Sequence, residues 1–301
     1  MIKRLHFFIF CIFFTTGIHA QQAELDSLKN ELALSKNDTT SLLLLAKITD
    51  EYSEINFDSV YLYALQMREV AKKLDLRLEE IFALNNIGYS LLNKGNIARS
   101  LQYLLAAIAI AEDPASERNI LSFDYPNIDE FSDRSKSPRM QRLMHLGRIM
   151  QFAGILYFNA GNYNKALEYY RSSEKLAISG ENYPLLSITY ATMGRTYLAM
   201  KKNDSALYYL RSAYTDAMRV NYNRYVGSTL LNIGRAHLAS KNIDSALYYF
   251  RWALAESKEY GYFRGVAACY LAIADIHKQN GAADSQVQGE APGPSPRQAA
   301  E

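Results

Sequence analysis

Apolar residues recur along most of this chain with a helical beat. In one stretch Tyr190, Met193, Gly194 and Tyr197 stand at i, i+3, i+4 and i+7, which is one face of a helix. Lys201-Lys202-Asn203 interrupts the pattern. It resumes as Ala206, Leu210 and Ala213 at i, i+4 and i+7, which predicts a second helix. Asp204 or Ser205 is placed to cap that helix by accepting a backbone N–H. Gly194 and Ala206 fall where the two helices would cross, and small side chains there let the backbones approach. Gly154 with Ala166, and Gly234 with Ala246, repeat the arrangement. Gly95 and Gly161 sit in the connecting turns, where a left-handed backbone is needed.

The pair of helices is a unit that recurs. Asn203-Asp204-Ser205-Ala206-Leu207-Tyr208-Tyr209-Leu210 returns 40 residues later as Ile243-Asp244-Ser245-Ala246-Leu247-Tyr248-Tyr249-Phe250. The same offset joins Gly154, Gly194 and Gly234. An earlier copy holds Gly88, Gly95 and Leu101-Gln102-Tyr103-Leu104, and the most diverged one reads Phe57-Asp58-Ser59-Val60-Tyr61-Leu62-Tyr63. A last, incomplete copy starts near Val266. A fixed period of this size marks a stacked repeat array, in which each pair buries its apolar face only against its neighbours.

These residues resemble the tetratricopeptide repeat family, whose pattern runs small, aromatic, Ala, aromatic, Ala. One unit supplies Gly154, Tyr157, Ala166, Tyr170 and Ser173, the next Gly194, Tyr197, Ala206, Leu210 and Ala213, and the third Gly234, His237, Ala246, Phe250 and Ala253. The resemblance covers residues 41–281. It implies an all-α fold, a right-handed α-solenoid of about four and a half helix-hairpin repeats. The spacing of 40 exceeds the usual 34, so helices or connectors should be longer by about two turns. His237 and His277 replace the family's packing tyrosine.

The rest of the chain is organised around this array. Residues 1–20 form a basic start (Lys3, Arg4), an apolar core around Phe7–Phe14 and a small residue at Ala20, the pattern of a cleaved export signal. Residues 21–40 read as a lead-in, 41–112 as the first two repeats and 139–281 as repeats three to five, the last incomplete. Between Gly88 and Gly154 the spacing is 40 plus 26, which sets off an inserted loop at 113–138 with Pro114, Pro126 and Pro138. That loop reads as a surface excursion. The alternative is a flap that docks its aromatics, Phe123, Tyr125 and Phe131 among them, on the array. Residues 282–301 carry Pro292, Pro294 and Pro296 without helical period and read as a disordered tail, native or left by an interrupted frame.

Charge narrows the partners. Lys3 and Arg4 account for two of the 33 basic residues, which leaves the body with 31 against 31 acidic ones. A neutral body lacks the positive field that nucleic acid requires. No segment after residue 20 has 18 consecutive apolar residues, so no membrane span is expected in the mature chain. With Cys11 in the signal, Cys269 remains as one thiol and reads as a buried small hydrophobe. No phosphate-cradling loop, His-x-x-x-His pair or positioned triad is present, so neither catalysis, a cofactor nor a metal is expected.

Binding is what stacked hairpins offer, along the wall lined by the first helix of each pair. Carried over from the family, the wall positions include Asn85 and Tyr89, then Arg148, Gln151 and Ile155, then Arg195 and Leu198, then Arg235 and Leu238. The three arginines would form a basic ladder suited to carboxylates, which a guanidinium holds through two N–H donors. The expectation is an exported scaffold of the periplasm or cell envelope that takes a protein or peptide, an acidic one by this ladder. The alternative, also carried by resemblance, is a sensory portion of a membrane-bound histidine kinase or helix-turn-helix regulator.

Overall fold

In a computed structural model, residues 23–53, 55–121, 124, 131–220 and 225–279 are described. The export signal and the tail at 282–301 lie outside these residues. The described residues are helical throughout: α1 (23–34), α2 (Asp38–Tyr52), α3 (Phe57–Lys73), α4 (Arg77–Asn93), α5 (Ile97–Glu112), a short 3-10 turn (Pro114–Glu117), α6 (Pro138–Asn159), α7 (Tyr163–Ser179), α8 (Tyr183–Ala199), α9 (Asn203–Arg219), α10 (Val226–Ala239), α11 (Ile243–Glu259) and α12 (Phe263–Gln279). They form two compact units that divide within α6, after Leu156. In the first, α2 packs on α3, α3 on α4 and α4 on α5. In the second, the series runs α7, α8, α9, α10, α11, α12. Among the described residues the first unit holds the pairs α2/α3 and α4/α5, and the second holds α8/α9 and α10/α11, with α12 as the first helix of a further pair.

The 40-residue period has a simple origin. Helices α7, α8, α9, α11 and α12 are each 17 residues long. Three residues connect most successive helices, as at Gly180–Asn182 and Met200–Lys202, and the six that precede α10 are matched by its shorter length of 14. Seventeen plus three, taken twice, is 40, so the excess over 34 lies in longer helices.

The connectors repeat one backbone device. Asp75, Gly95, Gly161, Glu181, Lys201, Lys241 and Gly261 all have positive φ. The next residue returns its N–H to a carbonyl five residues back: Asn162 to Tyr157 and Lys202 to Tyr197, each at 2.9 Å. This closes the orphan carbonyls of the finished helix. The following helix is capped from the same residue where it is asparagine: Asn162 accepts from the Lys165 N–H, Asn182 from Leu185 and Asn242 from Ser245. The expected caps are therefore corrected. Asp204 lies in the first turn of α9, where its charge faces the helix dipole, and Lys202 occupies the cap position without a side-chain hydrogen bond. Changing Lys201-Lys202 to Gly-Asn copies the Gly161-Asn162 turn. It should add about 1 kcal/mol, mostly from the new cap, since relief of the left-handed backbone is partly offset by the extra freedom of glycine when unfolded. A urea melt that does not shift to higher midpoint contradicts this account.

The inserted loop is docked. Its described residues Leu121, Phe131 and Arg134 are all buried. Leu121 joins the core formed by Leu42, Leu45, Met67 and Phe82. The Asn119 side chain donates to the Leu74 carbonyl at 2.8 Å, and Arg142 Nε donates to Glu117 at 2.7 Å. Arg134 pairs with Glu79 at 3.1 Å, both side chains about 5% exposed. The surface-excursion reading is thus replaced by its alternative for these residues; Phe123 and Tyr125 lie outside the described ones. The consequence is seen on α4, where residues 78–88 are buried without a break.

Candidate ligand-binding wall

Each unit presents its own first-helix wall. In the first unit the wall is largely closed. Asn85 and Gln151 are buried. Tyr89 is half-buried and meets Phe57 and Phe152 edge-on at 5.9 and 6.4 Å. Arg148 lies between two rings, 5.1 Å from Phe82 on α4 and 4.7 Å from Phe131 of the docked loop. A guanidinium held between rings is stabilised by their quadrupoles. Ile155 is half-buried. The loop therefore occupies the side of α4 and α6 to which the family pattern assigns ligand contacts. Sequence pattern contains half of that signal: Phe131 stands in the loop, but its partner 17 residues on, Arg148, has no fixed offset to it.

In the second unit the wall is open among the described residues. It is built by α8, α10 and α12, with α10 packed beside both of the others. Arg195 on α8 is half-buried over the Phe158 ring at 4.5 Å, and its buried Nε makes no hydrogen bond. Its charge reaches Tyr170, whose phenol burial nevertheless pushes up to about 12. Arg235 on α10 is exposed, and its Nη1 donates to Asn232 Oδ1 at 3.1 Å. Leu198 and Leu238 are half-buried against the core of Leu230, Ile233 and Phe250. The wall thus offers two cations on adjacent helices, each with an apolar leucine three residues on. Asn232 went unnoticed in the sequence. The i, i+3 spacing Asn232–Arg235 was its available signal.

The opposite face of these pairs is a packing face. Tyr157 stacks on Tyr169 at 5.2 Å, Tyr197 on Tyr209 at 5.3 Å and His237 on Tyr249 at 5.2 Å, all within 13° of parallel. His237 stands in the tyrosine's place and packs as the tyrosine does. Burial and the Arg211 charge lower its pKa. Cys269 is fully buried, and burial pushes its thiol up to about 11. Its reaction with a thiol reagent at pH 8 should be at least a hundredfold slower in the folded chain than in urea. A rate within tenfold would show an accessible thiolate.

Among the described residues no group of three or more His, Cys, Asp or Glu is placed to hold a metal ion, and no helix is long and apolar enough to cross a membrane. Residues 146–219 and residues 83–113 each match a family model described as tetratricopeptide repeat. No curated protein matches the chain in sequence. Solved structures do match. NprR in complex with its cognate peptide NprX is 17% identical with a TM-score of 0.61, over 88% of this chain and 68% of that one. A Rap protein complexed with Competence and Sporulation Factor is 12% identical with a TM-score of 0.56, over 89% and 73%. A signal transduction ATPase with numerous domains and a tetratricopeptide repeat sensor, from Pyrococcus horikoshii, is 18% identical with a TM-score of 0.52, over 88% and 38%. At these identities the likeness is one of fold.

Proposed function

Since this chain is a tetratricopeptide repeat protein, we propose that it is an exported, non-catalytic scaffold that holds an acidic protein or peptide segment on the wall of α8, α10 and α12. The observation that carries this is the pair Arg195 and Arg235 on neighbouring first helices, in the unit where no loop among the described residues covers the wall. Two arginines so placed take carboxylates through paired N–H donors, and the adjacent Leu198 and Leu238 take an apolar neighbour. Of the proteins that share the fold, NprR is described in complex with its cognate peptide NprX and a Rap protein as complexed with Competence and Sporulation Factor, which agrees with a binding role for such an array. Export rests on residues 1–20. The mature chain then begins at Gln21, in the periplasm or cell envelope.

The test is a crosslinking capture with the full chain as bait in an envelope extract, read alongside a fluorescent Glu/Leu peptide library. Arg235→Glu with Arg195→Gln should leave helicity intact and weaken peptide capture at least tenfold. Capture that is unchanged rejects the wall. Mass spectrometry of the secreted chain should find Gln21 at its N-terminus, and a cytosolic protein retaining Met1 rejects export. A second reading, that the array is the sensory part of a signalling protein, is favoured by the kinship of pattern with exported arrays of sensor kinases. Under it the same peptide binds and a linked output domain changes activity.

A further inference from the structure

The second helices of the second unit contain their own comparison. Ser212 on α9 and Trp252 on α11 occupy equivalent places 40 residues apart, and so do Asp216 and Glu256. On α11 the Trp252 indole is buried, and its Nε1–H donates to Glu256 Oε1 at 3.1 Å. Tyr214 of α9 meets the indole edge-on at 5.4 Å, and Tyr248 lies 6.1 Å from it. On α9 a serine stands where the indole would be. A cleft of about 530 Å³ opens there, lined by Tyr190, Tyr208, Arg211, Ser212, Thr215 and Asp216 among others.

Two features make this cleft more than missing bulk. Asp216 lines it and is only 8% exposed. Among the described residues the charge it meets is Arg219, at 3.9 Å, beyond hydrogen-bond length. No described residue donates to this carboxyl, whose side chain is 12% exposed, and partial burial raises its pKa. Second, Tyr208 stands 67% exposed at the rim, a ring without the cover that such a ring ordinarily finds. On α7 the equivalent positions are Ser172 and Leu176. That helix has the small residue but no acceptor, so the combination belongs to α9.

We infer that the cleft on α9 binds an indole ring against Tyr208, with the indole N–H donated to Asp216 as Trp252 donates to Glu256. The ring is that of a free indole compound or of a tryptophan side chain on a partner polypeptide. The site is separate from Arg195 and Arg235, so it stands or falls independently of the wall proposed above.

Saturation-transfer NMR on the full chain tests it with indole, 1-methylindole and N-acetyl-tryptophanamide. Saturable binding is expected for indole or the tryptophan amide, and at least tenfold weaker binding for 1-methylindole, which lacks the donor. Ser212→Trp should abolish binding by filling the cleft, and Asp216→Leu should weaken it at least tenfold. Both variants copy residues that the array already holds at these places, and the 1-methylindole comparison needs no variant. Whichever of indole and the tryptophan amide binds more tightly identifies the source. The inference is overturned by no saturable binding of either probe, by equal binding of 1-methylindole, or by binding that survives Ser212→Trp.

Discussion

Replacing Gly234 with valine is expected to destabilise the second unit by about 3 kcal/mol, and Gly194 with valine by a similar amount. A Cβ at residue 234 would lie 2.5 Å from ring atoms of Phe250 and 3.2 Å from the Ala246 carbonyl oxygen. At residue 194 it would lie 2.5 Å from Leu210 Cγ and 3.1 Å from the Ala206 oxygen. These are crossings of a first helix on its own second helix, with backbone on one side and a fully buried side chain on the other, so neither neighbour gives way cheaply. The helix propensity gained on leaving glycine returns only a fraction of the cost. Gly95→Ala provides the contrast. Nothing lies within 4 Å of its Cβ, and the penalty there comes from a φ of +77° alone, on the order of 1 kcal/mol. The double substitution Gly194→Ala with Leu210→Ala should cost less than its two parts added, because the truncated leucine clears the space. Additivity within about 0.5 kcal/mol in urea melts would show that the crossing is not tight.

These crossings were legible in the sequence because a helix pair imposes a fixed offset. Gly194 with Ala206 and Gly234 with Ala246 are local, 12 residues apart, and the offset of 40 repeats them. The packing role of His237, in the family's tyrosine position, was legible for the same reason, whereas its stacking partner Tyr249 was not. Caps were misread because Asp204-Ser205 is the commoner capping pair. The connector geometry, with a left-handed residue followed by asparagine, was hidden where Lys201 and Lys202 stand in those places. The docked loop was least legible. Its contacts join Arg134 to Glu79 and Leu121 to Leu42 across 55 and more residues, and no periodicity links such pairs. The wall was legible as positions and not as availability. Asn85 and Gln151 fit the pattern as well as Arg235 does, yet they are buried where it is exposed.

Removing Arg134 should cost the first unit about 3–5 kcal/mol, although the residue lies in a loop. Its guanidinium is buried against an equally buried Glu79. Burial already raises the Glu79 pKa, and the Arg134 charge works against that rise. With Arg134→Met the carboxyl loses its counter-charge and must either remain a buried anion or take up a proton at neutral pH, and both are unfavourable. Glu79→Leu together with Arg134→Met removes both charges, and its stability should return to within about 1 kcal/mol of the starting chain. The same charge is felt at His145 on α6, whose pKa burial, with Arg134 adding to it, lowers to about 4. The folded state therefore prefers the neutral imidazole. Its contribution is fully present above pH 6.5 and is lost as pH falls from 6.5 towards 4. In Arg134→Met the His145 titration, followed by its ring proton shift, should move up towards 6.5 and narrow that window. A single substitution that costs less than 1 kcal/mol, with His145 titrating unchanged, would mean that the loop rests on the array without being held by this pair.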